Sequence, residues 1–251
     1  MPPGPFARFP SRPPVRDSGR PASSNGASSF HLVWTVPPVP LDEVSTTFEL
    51  LAEPSVEQLY FWALQTSFVD GSTPRGGAHL GLQWHPSYPD GRAVNWGGYG
   101  EVGELAGSSS TLPSRLENAN TRDYRWETGV PYRLAISSPE ARRWRGTVTD
   151  LATGRSTVVR DLFSTGTHLA APMVWTEAFC RCDDPRVIAR WSSFRASSHG
   201  ADIPIGSVRV NYQSYAEGGC TNTTVRRDGD GFLQITGTER ETPSGRVIPF
   251  S

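Results

Sequence analysis

Leu80 to His85, LGLQWH, gathers side chains that bind polar groups or carry protons. The period of a β-strand puts Leu80, Leu82 and Trp84 on one face and Gly81, Gln83 and His85 on the other. The first set reads as core. The second sets an amide beside an imidazole, next to a glycine that leaves room for a ligand, and suits hydrogen bonding to sugar hydroxyls or a carboxylate. Gln65, in FWALQTSF, shares a face with Phe61, Ala63 and Ser67, and reaches Gln83 if the two strands are neighbours.

Two further stretches supply polar reach. In NWGGYG, Asn95, Trp96 and Tyr99 stand among glycines, where aromatic rings can stack on the apolar face of a sugar. In SVRVNYQSY, Val208, Val210 and Tyr212 alternate with Arg209, Asn211, Gln213 and Tyr215, four polar groups able to line a groove. Each of these faces also reads as the ordinary solvated side of an antiparallel sheet. MVWTEAF places one acid, Glu177, two residues after Trp175. Glycoside hydrolysis needs two carboxylates at a set separation. No strand carries an acidic pair at i, i+2 or i, i+4, which disfavours hydrolysis run from one strand and leaves a pair from different strands open. Asp228 to Gly231, DGDG, lacks the third acid and distal glutamate of a calcium loop and reads as a hairpin turn. No phosphate loop, G-x-S-x-G elbow or H-E-x-x-H occurs. The expectation is no metal and no cofactor.

The elements that must position these residues are strands. FHLVWTVP, VSTTFELLA, EQLYFWALQTSF, VPYRLAISS, RRWRGTVTDL, STVVRDLF, APMVWTEAFCRC, RVIARWSSFRA, SVRVNYQSY, TNTTVRR and GFLQITGT alternate apolar with polar residues, separated by turns such as Asp70-Gly71 and Thr153-Gly154. Gly103 to Asp123 reads as a long surface loop with a short strand. With 25 Gly, 22 Pro and no amphipathic helix, the chain is expected to be all-β, a two-sheet antiparallel jelly-roll sandwich with one concave sheet. Met1 to Ser29, rich in Pro, Ser, Gly and Arg, reads as a disordered or extended segment (1–29), and 30–251 as one sandwich domain. A net charge of -1, with every basic residue an arginine, gives no field for nucleic acid or an anionic membrane. No apolar run is long enough to span a membrane and no signal peptide is readable. Cys180, Cys182 and Cys220 allow one disulfide, from Cys220 to either of the other two, and leave one thiol.

LGLQWHP, VNWGGYG, the WRGTVTD hairpin and ARWSSFRA together resemble a concanavalin-like jelly roll, similar in texture to exported actinobacterial β-sandwich proteins without an assigned function. Gln83-Trp84-His85 also resembles the Q-x-H of alginate-lyase-type polysaccharide lyases. That resemblance implies Gln83 as neutraliser of a uronate carboxylate, His85 as base, Tyr215 or Tyr212 as acid and Arg209 as carboxylate clamp. The lyases' Arg-Ser/Thr-Glu-Leu motif is absent, and NYQSYAEGG does not match their Tyr-x-Lys-Ala-Gly. The resulting expectation is an extracellular or cell-surface domain recognising a carbohydrate on its concave sheet. The alternatives are a polysaccharide lyase on the same surface, and a structural or adhesive domain without a small ligand.

Overall fold

The structure, a computed structural model, describes residues 14–250. Those residues form two antiparallel sheets and one short 3-10 turn at Pro89–Gly91. Sheet I has nine strands. Its path is β17 (Val247–Pro249), β14 (Ser207–Tyr212), β1 (Ser28–Thr35), β11 (His168–Ala178), β3 (Tyr60–Asp70), β4 (Thr73–Trp84), β5 (Arg92–Gly100) and β6 (Gly103–Glu104), with β7 (Thr121–Asp123) also on β5. Sheet II has eight: β10 (Ser156–Phe163), β9 (Arg143–Asp150), β8 (Tyr132–Glu140), β2 (Glu43–Ala52), β12 (Ile188–Ser198), β16 (Gly231–Ile235) and β15 (Thr224–Asp228), with β13 (Ala201–Ile203) on β12. The expected β-sandwich is therefore present, and every stretch read as a strand overlaps one, though SVRVNYQSY and APMVWTEAFCRC run past the ends of β14 and β11.

Strict alternation decides which face each residue meets. Leu32, Trp62, Leu64, Leu80, Leu82, Val94 and Trp96 of sheet I face Phe48, Leu134, Ile136, Trp144, Val148 and Trp191 of sheet II in one continuous apolar core. Aromatic contacts tie the layers together: Phe48 lies 5.5 Å from Trp62 and Phe68 lies 5.1 Å from Trp144, centroid to centroid. The DGDG hairpin closes as read, with Asp228 opposite Gly231 and both Asp228 and Asp230 bound to Arg190.

Residues 1–13 of the segment expected to lack structure are outside the described residues. Residues 14–27 have no regular structure but are hydrogen-bonded to the sandwich, and β1 already begins at Ser28. Cysteine pairing resolves to Cys182–Cys220, with Cys180 a buried thiol. Among the described residues no helix is long and apolar enough to cross a membrane.

Candidate functional site

Register lays out the outward face of sheet I in rows. The first runs Gln213, Ser29, Glu177, Phe61, Gln83, Ala93 and Asp123 across six neighbouring strand pairings; Gln213 and Ser29 are joined through backbone just past the end of β14. The second runs Asn211, His31, Trp175, Ala63, Gly81, Asn95 and Thr121. The third holds Arg209, Val33, Met173, Gln65, His79 and Gly97. Gln65, Gln83, Asn95, Arg209 and Asn211 thus share one face, as strand parity requires.

Within this face two side chains are each held by one atom and leave the other unengaged. Glu177 Oε1 accepts hydrogen bonds from Asn25 Nδ2 at 2.9 Å and Ser29 Oγ at 3.2 Å. Gln83 Oε1 accepts from the hydroxyl of buried Tyr88 at 3.0 Å. Glu177 Oε2 and Gln83 Nε2 make no hydrogen bond among the described residues, and neither is among the fully buried unpaired polar atoms there. Only β3, carrying Phe61, stands between them. At the usual strand spacing, about 10 Å separates the two backbones, wide enough for a carbonyl group and a water.

The electrostatics of the face are unusual for a protein surface. Glu177 has no ion-pair partner among the described residues, and burial pushes its carboxyl above the usual glutamate range, with Asn25 and Ser29 pulling the other way. His31 and His79 flank Trp175, with ring centroids at 6.5 and 5.8 Å. Burial lowers each imidazole to about 4, so both are neutral at mildly acidic pH. Phe61 and Trp175 meet edge-to-face at 4.9 Å and, with Ala63 and Met173, make a small apolar patch beside Glu177. The carboxyl is therefore bordered by neutral groups only.

Several expected positions fall elsewhere. His85 lies one residue past the end of β4, where the chain turns; its Nδ1 contacts Ser87 Oγ at 2.6 Å, and its ring packs edge-on against Tyr88 at 5.8 Å between centroids, the tyrosine whose hydroxyl holds Gln83. Trp96 points into the core and is fully buried, because NWGGYG is part of β5, where residues 95 and 96 must face opposite ways. Tyr99 stays outward and 60% exposed, at the far end of β5. Tyr215 lies beyond β14 under the Arg16 guanidinium, and Tyr212 is core-facing. Gln213 Oε1 is taken by the Ser29 amide and its Nε2 by the Glu217 carbonyl. Gln65 Oε1 accepts from Trp175 Nε1 at 2.9 Å. Gly81 makes room for a neighbour, not a ligand: a Cβ there would lie 2.1 Å from the Trp62 carbonyl oxygen and 2.7 Å from the Ala63 Cβ.

Sequence reasoning singled out Glu177 but found it no partner, and it did not find Asn25 or Tyr88. The nearest thing to a signal was the isolation of Glu177 on a strand otherwise free of charge. A cleft of about 310 Å³ lined by Phe194, Ile203, Ile205 and Phe250 opens at β12 and β13 of sheet II, away from the carboxyl and amide.

No protein-family profile matches the chain, and no curated protein does. Solved structures do show a likeness. Scytalido-glutamic peptidase with a peptide-based transition-state analogue is 13% identical at a TM-score of 0.48, over 82% of this chain and 97% of that one. SCP-B, a member of the eqolisin family of peptidases in complex with the tripeptide Ala-Ile-His, is 12% identical at a TM-score of 0.43, over 86% and 98%. The expectation of a carbohydrate-recognising surface, with its lyase and adhesive alternatives, is corrected here. The solved structures named above are peptidases, and Trp96, the stacking ring that reading needed, is sealed in the core.

Proposed function

We propose that the outward face of sheet I is a hydrolytic site, with Glu177 and Gln83 acting together on a peptide or amide bond. What carries this reading is the arrangement of the pair: one row, one intervening strand, Glu177 Oε2 and Gln83 Nε2 both unengaged, and every bordering group neutral. The resembling structures are named as peptidases, but at TM-scores below 0.5 the weight rests on these two side chains.

The chemistry follows from the two free atoms. A water between Glu177 and the substrate gives a proton to the Glu177 carboxylate as its oxygen bonds to the carbonyl carbon. The carbonyl oxygen becomes an oxyanion and accepts a hydrogen bond from Gln83 Nε2, whose Oε1 is already held by Tyr88. Protonated Glu177 then passes the proton to the leaving nitrogen, the C–N bond breaks, and a carboxylic acid and an amine result. A carboxyl whose proton affinity is raised by burial suits this cycle, because it takes the proton from water more readily. The Cys182–Cys220 disulfide supports an extracytoplasmic, oxidising setting for such a reaction.

The test is digestion of an unfolded protein substrate in ¹⁸O water across pH 3 to 7. New C-termini carrying ¹⁸O are the expected outcome. An intact substrate at every pH would remove the reading.

A further inference from the structure

The irregular segment before β1 is fastened in one place. Arg16 N donates to Thr221 Oγ1 at 2.9 Å, and Thr221 N to the Arg16 carbonyl at 2.7 Å. Asn222 Nδ2 donates to the Asp17 carbonyl, Gly19 N to Asp183 Oδ1, Cys182 N to the Gly19 carbonyl, and Ala22 N to the Gly218 carbonyl. Every one of these partners lies within two residues of Cys182 or Cys220, the two halves of the disulfide. Residues 16–22 are a strap laid over the cross-linked loops. The fit is close at Gly218, where φ is +87° and a Cβ would lie 2.1 Å from Ser23 N.

The strap ends in a turn that leaves Asn25 little choice of direction. Asn25 Oδ1 accepts from Ala27 N at 3.1 Å, and the Ser23 hydroxyl, which donates to the Ala27 carbonyl at 2.5 Å, closes the same turn around it, so the oxygen is held inside the turn. The amide nitrogen is thereby aimed at Glu177 Oε1, 2.9 Å away. The other groups around Glu177 are Ser29 and His31 on β1, Trp175 on its own strand and Phe61 on β3. None of them is charged at mildly acidic pH, His31 being neutral above about 4.

We propose that the strap is a working part of the site: it delivers Asn25 as the positioning residue of Glu177, and the Cys182–Cys220 disulfide holds the strap in place. The role assigned to Glu177 rests on the hydrolytic reading; the coupling between disulfide, strap and carboxyl does not need it. Breaking the disulfide by a phosphine reductant, with two electrons and two protons taken up to give two thiols, should free the strap and with it the Asn25–Glu177 contact.

Two measurements on the full chain test this without a substrate. The first is a ¹³C titration of the Glu177 carboxyl in the wild type and in Asn25→Asp. That substitution keeps the side-chain size and replaces a donor with a like charge, so the midpoint should rise by about one pH unit. The second follows the Asn25 side-chain amide resonances, which should move to the position of a solvated amide on reduction with TCEP, or in Gly218→Ala. If reduction unfolds the sandwich, seen as loss of near-ultraviolet circular dichroism, the Asn25→Asp titration still decides. An unmoved Glu177 midpoint in Asn25→Asp overturns the proposal, as does an unmoved Asn25 amide in folded, reduced protein. A shifted midpoint in a protein that cleaves nothing would sink the hydrolytic reading alone. Cleavage whose pH profile ignores Asn25→Asp would sink the strap's role alone.

Discussion

Asp161 and Glu177 are both acids on the outward side of a sheet, and both are largely shielded from water, yet their surroundings treat them in opposite ways. Asp161, on β10 of sheet II, is 3% exposed and is gripped by Arg145, with Nε at 2.8 Å from Oδ1, and by Arg143. Those guanidiniums hold its carboxyl below the usual aspartate range. Glu177, on β11 of sheet I, has neutral donors and aromatic neighbours, and its carboxyl is pushed up. A buried acid given two cations is fixed in one charge state and serves the fold. A half-buried acid given none has its proton affinity raised by its surroundings and no cation to lock it in the charged form, which is what proton transfer requires.

The largest effects expected from this contrast divide by kind. Glu177→Gln should lower hydrolysis by about 10³-fold, in the range for removing a general acid–base group, and leave the melting temperature at neutral pH no lower than wild type. Asp161→Asn should do the reverse. It should keep most activity and lose about 2–4 kcal/mol of stability, less than a fully buried pair because both arginines remain 35% exposed. Thermal unfolding of both variants beside a kcat/KM measurement checks the pair. If the two losses fall together in one variant, the contrast breaks.

Next in size is the amide. Gln83→Ala should cost about 10²-fold in kcat with little change in KM, since the hydrogen bond it supplies strengthens as the oxyanion forms. Tyr88→Phe should cost less, about 10-fold, because it frees the Gln83 amide to turn over without removing it. A larger loss in Tyr88→Phe than in Gln83→Ala would show that the tyrosine acts by another route.

The smallest expected signal is in stability against pH, and the two acids have opposite signs. The folded-state affinity of Asp161 for a proton is lowered, so its contribution is present above the unfolded aspartate value of about 3.9 and fades as pH falls through the lower folded value. For Glu177 the folded value is raised, so its contribution is complete below the unfolded glutamate value of about 4.3 and is lost as pH rises through the folded one. Glu177→Gln should therefore gain on wild type between pH 4 and 7, and Asp161→Asn should lose least near pH 2. Melting curves at four or five pH values read both trends.

Strand parity makes much of this face legible in the sequence. Gln65, Gln83, Asn95, Arg209 and Asn211 fall on one face because a period of two leaves no other choice inside a strand. Parity misleads where a strand ends or begins without a local mark. β4 stops at Trp84, so His85 belongs to the turn that follows, and β5 already includes Asn95 and Trp96, so the tryptophan turns inward. The pairing of Glu177 with Gln83 depends on both flanking β3, a fact of sheet order that local pattern does not contain. Asn25 is out of reach for a different reason. Its Pro-, Ser- and Arg-rich surroundings bury little, and what orders them is backbone hydrogen bonding to loops around a distant disulfide.

One comparison bears most directly on the central claim, that Glu177 is the proton-carrying group of a hydrolytic face: kcat/KM of wild type and of Glu177→Gln on one unfolded protein substrate at pH 4 to 5. The account predicts measurable cleavage by the wild type and a loss of about 10³-fold in a variant that melts no earlier. Equal rates for the two proteins would contradict it.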